Sequence, residues 1–236
     1  MILFLYSIFG RIFQLLPNFI KIKILNMESN FYIPVHNHYM ALDLIRLKKG
    51  IREPKTFEWL TSIPDNSVYF DIGTDYGQEV TLLSSLKKKN IKIYGFDCSL
   101  LPAHYCSINR EKNNNNFEFI FAVISDNTGE ILDISALSNL SIKSKYSYSV
   151  MTLRLDDFSN MKNIYPTHIK IDVDGAELKV IKGAEKLLKG NILKEIFIEI
   201  NHDDNEIISL IEKYGFKIAL KIPGLKNNQF LFKRNK

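Results

Sequence analysis

Short apolar runs alternate with segments of helical spacing along most of the chain. β-branched and aromatic residues predict buried strands at 68–70, 91–96, 117–124, 131–134, 149–155, 169–171 and 195–200. Helices are predicted between them, for example at 78–86, 101–109, 176–188 and 206–214. Two further runs, 216–222 and 229–233, predict closing strands. Such alternation of strands and helices is typical of an α/β fold with a mostly parallel sheet.

The first 25 residues are strongly apolar, but Arg11 and Pro17 divide the run into pieces too short to span a bilayer. We therefore expect an apolar, helical N-terminal extension over residues 1–55 and a main domain over residues 56–236. One interpretation of residues 1–25 is a helix that packs on the domain or forms a homodimer contact. The alternative is a peripheral membrane anchor with Arg11, Lys21 and Lys23 toward the head groups.

Composition fits one globular domain of 236 residues, with 46% hydrophobic and 24% charged residues. The formal net charge is +5, but the lysines are scattered in short runs. This distribution favours solvated helix ends over a nucleic-acid surface, so no nucleic-acid partner is expected. Cys98 and Cys106 form neither a metal-ligand cluster nor a disulfide framework, which favours a reducing, cytoplasmic location.

The segment VYFDIGTDYG (68–77) carries the first chemical signal. Asp71 ends a strand, and Gly73 and Gly77 bracket a tight turn before a helix, where open α/β sheets bind ligands. A dinucleotide motif would have another glycine, and Asp71 would repel a pyrophosphate. A carboxylate there suits an ammonium group, and amides at the helix start suit a carboxylate. S-adenosylmethionine carries both groups on a nucleoside.

Asp97 ends the second predicted strand, about twenty residues past the glycine turn, where such folds bind ribose hydroxyls. A strand-end Asp that caps the next helix is the alternative interpretation.

Six segments together resemble the FkbM-type methyltransferases, in the order of that family and over about residues 66–200. They are VYFDIGTDYG (68–77), IYGFD (93–97), SINREKNN (107–114), FAVISDNTGEI (121–131), TLRLDDF (152–158) and IKIDVDGAELKVIKGAEKLL (169–188). The resemblance implies a doubly wound, mostly parallel, seven-stranded Rossmann-like sheet with helices on both faces. It also implies S-adenosylmethionine as the cofactor and O-methylation of a sugar, lipid or secondary metabolite.

The resemblance also implies roles for individual residues. Asp71 and Gly73 would hold the methionine moiety, Asp97 the ribose, and Asp126 the adenine amino group. The alternative for Asp126 is an ordinary turn residue before Asn-Thr-Gly. Thr74-Asp75 and Cys98-Ser99 depart from the family pattern, which motivates two alternatives. One is a non-catalytic binding or membrane-associated member of the family. The other is a dinucleotide-dependent oxidoreductase on a similar sheet.

Two residues are candidates for the proton transfer that hydroxyl methylation requires. Asp172 ends the fourth core strand and would face the reactive end of the cofactor, although it could instead cap a helix. His202 follows the strand that ends at Asn201, and histidine titrates near neutral pH, which suits a base. A divalent ion at Asp172, Asp174 and Asn201 is the competing hypothesis. The Ser-rich segment 135–149 is expected to form a loop over the edge of the sheet.

Overall fold

The computed structural model describes residues 18–34, 37–135, 147–201 and 204–235, which form twelve strands and eight helices. The strands are β1 (Phe19–Ile24), β2 (Met27–Tyr32), β3 (Val68–Ile72), β4 (Lys92–Asp97), β5 (Phe117–Phe121), β6 (Val123–Ile124), β7 (Ile131–Ser135), β8 (Ser147–Leu153), β9 (His168–Ile171), β10 (Glu195–Asn201), β11 (Phe216–Ile222) and β12 (Asn227–Arg234). The helices are α1 (His38–Lys48), α2 (Pro54–Ser62), α3 (Gln78–Ser84), α4 (Leu100–Lys112), α5 (Leu155–Lys162), α6 (Glu177–Gly183), α7 (Glu185–Lys189) and α8 (Asn205–Lys213).

Seven strands form the central sheet, in the order β11-β12-β10-β9-β3-β4-β5. The five strands from β10 to β5 are parallel, and β12 runs antiparallel to both of its neighbours. The chain moves outward from β3 through β4 to β5, and then continues on the other side of β3 with β9 and β10. The predicted doubly wound, mostly parallel seven-stranded sheet is therefore confirmed, with its switch point between β3 and β9.

The two faces of the sheet pack against different sets of helices. Successive side chains of a strand point to opposite faces, so Phe70 and Ile72 lie on one side of β3 and Tyr69 and Asp71 on the other. Phe70 and Ile72 belong to a core that includes apolar residues of α5 to α8. Tyr69 belongs to a second core, built with apolar residues of α1 to α4. Because helices cover both faces of the sheet, the carboxyl ends of the parallel strands remain accessible to a ligand.

Residues 19–32 form a β-hairpin, so the predicted helix over residues 1–25 is wrong for 19–24. Ile22 is buried and Lys21 is exposed, because isoleucines and lysines alternate with the period of a strand. Ile22 packs in the same core as Tyr69. The predicted boundary between residues 55 and 56 falls inside α2. Residues 1–17, which carry most of the predicted anchor, lie outside the described residues.

Two predicted elements are divided. The strand expected at 117–124 splits after Phe121, because β6 leaves the central sheet and pairs with β8. The helix expected at 176–188 breaks between α6 and α7. Gly183 packs closely against the backbone of Ser125, and an added Cβ would lie 2.0 Å from the carbonyl oxygen of Ser125. Residues 136–146 of the expected loop lie outside the described residues, whereas 147–149 belong to β8.

Candidate functional site

A cavity of about 940 Å³ opens at the carboxyl ends of β3, β4 and β9. Gly73, Asp97 and Asp172 line it, so the structure brings together three of the residues that the sequence singled out. Its volume is near the upper end of the range for small-molecule sites, about 300–1,000 Å³. The cavity also lies beside the switch point of the sheet, where open α/β folds bind ligands.

The turn between β3 and α3 requires both of its glycines. Gly73 has a φ of +83°, and an added Cβ would lie 1.8 Å from the carbonyl oxygen of Asp172. Gly77 has a φ of +82°, and its Cβ would lie 2.6 Å from Sγ of Cys106. Gly73 lines the cavity, whereas Gly77 packs behind it against α4. Only a glycine at position 73 lets the ends of β3 and β9 meet and leaves the backbone open to a ligand.

Asp71 lies beneath the cavity rather than on its surface. Its side chain is fully buried, and Oδ1 accepts a hydrogen bond from the Tyr69 hydroxyl at 3.2 Å. The parallel register of β3 and β9 pairs Asp71 with Lys170. Oδ2 of Asp71 is buried without a hydrogen-bond partner among the described residues. The ammonium of Lys170 lies 4.0 Å from Oδ1 of Asp71, and the contact of Asp71 with an ammonium group of a ligand stays a prediction.

Lys170 is the centre of a buried charge cluster. Its Nζ lies 3.3 Å from Oδ2 of Asp172, 3.9 Å from Oε1 of Glu79 and 4.0 Å from Oδ1 of Asp71. Burial raises the pKa of the Asp71 and Glu79 carboxyls, although Lys170 opposes that rise. Burial alone would lower the pKa of Lys170, but Asp172, Glu79 and Asp71 outweigh it and raise that pKa. Three carboxyls therefore share one ammonium, and the two buried ones, Asp71 and Glu79, retain protons more readily than exposed acids.

Asp97 projects into the cavity from the end of β4. Its Oδ2 accepts a hydrogen bond from the amide of Asp75 at 2.8 Å, and its Oδ1 accepts one from the amide of Ser99 at 2.7 Å. Each carboxylate oxygen can accept a second hydrogen bond, so both remain available to hydroxyl groups. Burial raises the pKa of Asp97, and burial with the nearby Asp97 charge raises the pKa of Asp75 to about 7.

Of the other predicted site residues, only some lie at the cavity. Asp172 lines the cavity and is 27% exposed in its side chain. Asp126 is exposed in the turn after β6 and accepts a hydrogen bond from the Ser125 hydroxyl. It is not among the described residues that line the cavity, and its contact with the adenine stays a prediction. His202 lies outside the described residues, directly after the end of β10.

A second wall of the cavity has no counterpart among the residues predicted from the sequence. Arg52 and Glu53 contribute to it from the turn before α2, and Asp43 from α1. Glu199 lines the cavity from β10, where it accepts hydrogen bonds from the side chains of Asn227 and Gln229, and burial raises its pKa. Lys170 and Glu199 are charged residues inside otherwise apolar strands, and that pattern could have indicated that they line a site.

The cavity is acidic although the chain is basic overall. Arg52 and Lys170 are its two cationic side chains in the described part of the chain. Nine carboxyl groups line the same cavity, those of Asp43, Glu53, Asp75, Glu79, Asp97, Asp133, Asp172, Asp174 and Glu199. The field inside therefore favours cationic and neutral ligands and opposes polyanions. In the ranges that the structure describes, no three His, Cys, Asp or Glu side chains are grouped so that they could hold a metal ion.

Comparison with solved structures gives the same fold. The chain is 16% identical to a precorrin-6y C5,15-methyltransferase from Geobacter metallireducens, with a TM-score of 0.50 over 80% of this chain and 90% of that one. It is 12% identical to a protein of the NADB-Rossmann superfamily from Streptococcus agalactiae, with a TM-score of 0.50 over 77% and 68% of the two chains. Aeropyrum pernix fibrillarin, solved with natively bound S-adenosyl-L-methionine, is 11% identical, with a TM-score of 0.49 over 82% and 74%. These likenesses concern the fold alone.

The family model provides the more specific evidence. No curated protein matches the chain. The model of the methyltransferase FkbM domain, in contrast, matches residues 71–218. That range contains Gly73, Asp97, Lys170, Asp172 and Glu199, which come together around the cavity. Because the match covers more than half of the sequence, the chain belongs to the FkbM methyltransferase family, whose methyl donor is S-adenosylmethionine.

Proposed function

We propose that this protein transfers the methyl group of S-adenosylmethionine to a hydroxyl group of a small neutral or cationic acceptor, such as a sugar, a lipid or a secondary metabolite. The observation that carries the proposal is the charge of the cavity. Among the described residues, nine carboxyl groups line it, and both cations there, Arg52 and Lys170, already contact carboxylates. A phosphate-rich acceptor such as RNA would be repelled there.

The cavity fits the donor at several points. Asp97 can accept hydrogen bonds from the two ribose hydroxyls, and carboxylate acceptors make the stronger bonds of this kind. Gly73 leaves its backbone accessible because it has no side chain. Tyr76 and Gln78 are among the residues that line the cavity, and the Tyr76 hydroxyl and Oε1 of Gln78 are buried without a hydrogen-bond partner among the described residues. Buried polar atoms without partners are costly, so a bound ligand that supplies partners is favoured.

Donor and acceptor must be aligned and a proton removed for the methyl group to move. S-adenosylmethionine supplies a methyl group that is already activated on its sulfonium. The bond between sulfur and methyl carbon breaks, the bond between oxygen and carbon forms, and S-adenosylhomocysteine leaves. We assign the acceptor proton to Asp172, whose carboxylate lines the cavity, or to His202, which follows β10. Lys170 holds Oδ2 of Asp172 at 3.3 Å and so fixes the orientation of that carboxylate.

The experiment is a screen for a mass gain of one CH₂ group in pools of glycans, lipids and small metabolites incubated with protein and donor. Asp172→Asn and His202→Ala are then compared with the wild type for turnover and, separately, for donor affinity. Loss of turnover at unchanged affinity identifies the base. Turnover lost to EDTA and restored by magnesium would support an ion instead. Absence of any donor binding would contradict the proposal and favour a non-catalytic family member.

The proposal extends to location and contacts. We infer a cytoplasmic protein, which the two free cysteines support. In the described part of the chain, none of the helices is both long and apolar enough to cross a bilayer. Peripheral membrane contact through residues 1–25 and a homodimer remain predictions. Flotation with anionic vesicles, with and without these residues, tests the first, and analytical ultracentrifugation tests the second.

A further inference from the structure

Arg52 and Lys170 are the cations that line the cavity in the ranges the structure describes, and they differ in how many of their N–H donors have acceptors. Lys170 has three carboxylates within 4.0 Å of its Nζ and is almost fully buried. Arg52 contacts Asp43 through Nη1 at 2.8 Å, and its Nη2 lies 3.7 Å from Oε1 of Glu53. Its Nε is buried without a hydrogen-bond partner among the described residues. A guanidinium has five N–H donors, so Arg52, which lines the cavity, retains donors that none of the described residues accepts.

Arg52 lies at the same end of the cavity as the glycine turn. Its charge lowers the pKa of Asp75 and Glu79 against the larger effect of burial, which requires proximity to both. Asp43 and Glu53 hold the guanidinium in place, so little conformational entropy remains to be lost on binding. This arrangement presents a fixed cation in the same cavity as Gly73, near Asp75 of the glycine turn.

The methyl donor brings one anionic group into this acidic cavity. Its methionine moiety carries a carboxylate, which the ionised carboxyl groups of the lining would repel. The helix after the glycine turn, α3, has only seven residues, so its amides alone are a weak counter-charge. A guanidinium, in contrast, can bind a carboxylate with two parallel hydrogen bonds.

We propose that Arg52 binds the carboxylate of the methionine moiety of S-adenosylmethionine. The inference rests on the proposed function, because it assumes that the donor occupies the end of the cavity near Gly73. Arg52 precedes the range of the family match, which begins at residue 71. The chain thus completes the donor site with a residue from the turn between α1 and α2.

The test compares two ligands by calorimetry: S-adenosylhomocysteine and its decarboxylated analogue, which keeps the amine and lacks the carboxylate. An acidic cavity without an arginine contact favours the more cationic, decarboxylated ligand. With the Arg52 contact, the wild type instead binds S-adenosylhomocysteine more tightly, by about 10- to 150-fold, the usual range for a charge-assisted hydrogen bond. Arg52→Gln should remove this preference by weakening S-adenosylhomocysteine alone.

Arg46→Gln is the matched control. Arg46 contacts the same Asp43, at 3.4 Å, but its side chain is 61% exposed and it does not line the cavity. This variant should keep the wild-type preference. A wild type that prefers the decarboxylated ligand, or an Arg52→Gln variant that weakens both ligands equally, would overturn the role of Arg52. If Arg52→Gln does not fold, the wild-type comparison and Arg52→Lys still decide it. A wild type that binds neither ligand would instead refute the proposed function.

Discussion

Replacing Lys170 by methionine should destabilise the protein in a pH-dependent way. The substitution keeps the length of the side chain and removes the ammonium that lies within 4.0 Å of Asp71, Glu79 and Asp172. Removal of one partner from a buried ion pair typically costs about 3–5 kcal/mol, because the remaining charges stay buried without compensation. A loss of that size is a large part of the stability of a domain, about 5–15 kcal/mol.

The pH dependence follows from the carboxyls that remain. The folded-state pKa values of Asp71 and Glu79 are already raised, and loss of Lys170 removes the charge that opposes the rise. An acid whose pKa is higher in the folded state stabilises the fold below its unfolded pKa, and that contribution is lost as pH rises through the folded value. The free energy of unfolding of Lys170→Met should therefore fall between pH 5 and pH 8 more steeply than that of the wild type.

Urea unfolding followed by circular dichroism at both pH values measures the effect. Lys182→Met is the control, since Lys182 and Glu206 form an exposed pair at 3.4 Å whose loss should cost less than about 1 kcal/mol. The double variant Asp71→Asn with Lys170→Met should recover part of the loss at pH 8, because it removes one of the uncompensated charges. Equal losses at both pH values, or a Lys170→Met variant as stable as the control, would refute the account of this cluster.

Three further predictions concern the cavity. Gly73→Ala should unfold the protein or cost more than about 3 kcal/mol, whereas Gly215→Ala, with a φ of +85° and no atom within 4 Å of an added Cβ, should cost only about 1–2 kcal/mol in thermal unfolding. Asp75→Asn should raise the melting temperature above pH 7 and leave it unchanged below pH 4, because the pKa of Asp75 rises to about 7 on folding and the wild type loses stability across that window. Asp97→Ala should weaken binding of S-adenosylhomocysteine by roughly 1.5–3 kcal/mol in calorimetry, and unchanged affinity would exclude the ribose contact.

The sequence predicts the strands well because the strand period is a local property, whereas the arrangement of the seven strands was implied by the resemblance to the FkbM family. Asp97 illustrates this, since a carboxylate at the end of the second parallel strand lies where ligands bind in open α/β sheets. Asp71 illustrates the limit. Its neighbour across the sheet is set by the register between β3 and β9, which pairs residues about one hundred positions apart in sequence. Without that register, the contact with Lys170 and the burial of Asp71 could not be foreseen.

The second wall of the cavity was unpredictable for a different reason. Arg52 and Asp43 come from a segment with no strand or glycine signal, and their meeting depends on how α1 packs against the sheet. The hairpin at 19–32, in contrast, had a clear signal. Isoleucine and lysine alternate at 20–24 with a period of two, but the apolar residues before them suggested a helix.

Cys98 has a consequence for the handling of the protein. Its thiol lines the cavity next to Asp97, and burial together with that carboxylate raises its pKa to about 11. At neutral pH only about one thiol in ten thousand is then ionised. The thiolate is the form that oxidants and alkylating reagents attack. The cavity should consequently survive storage in air without added reductant, and iodoacetamide should leave donor binding intact.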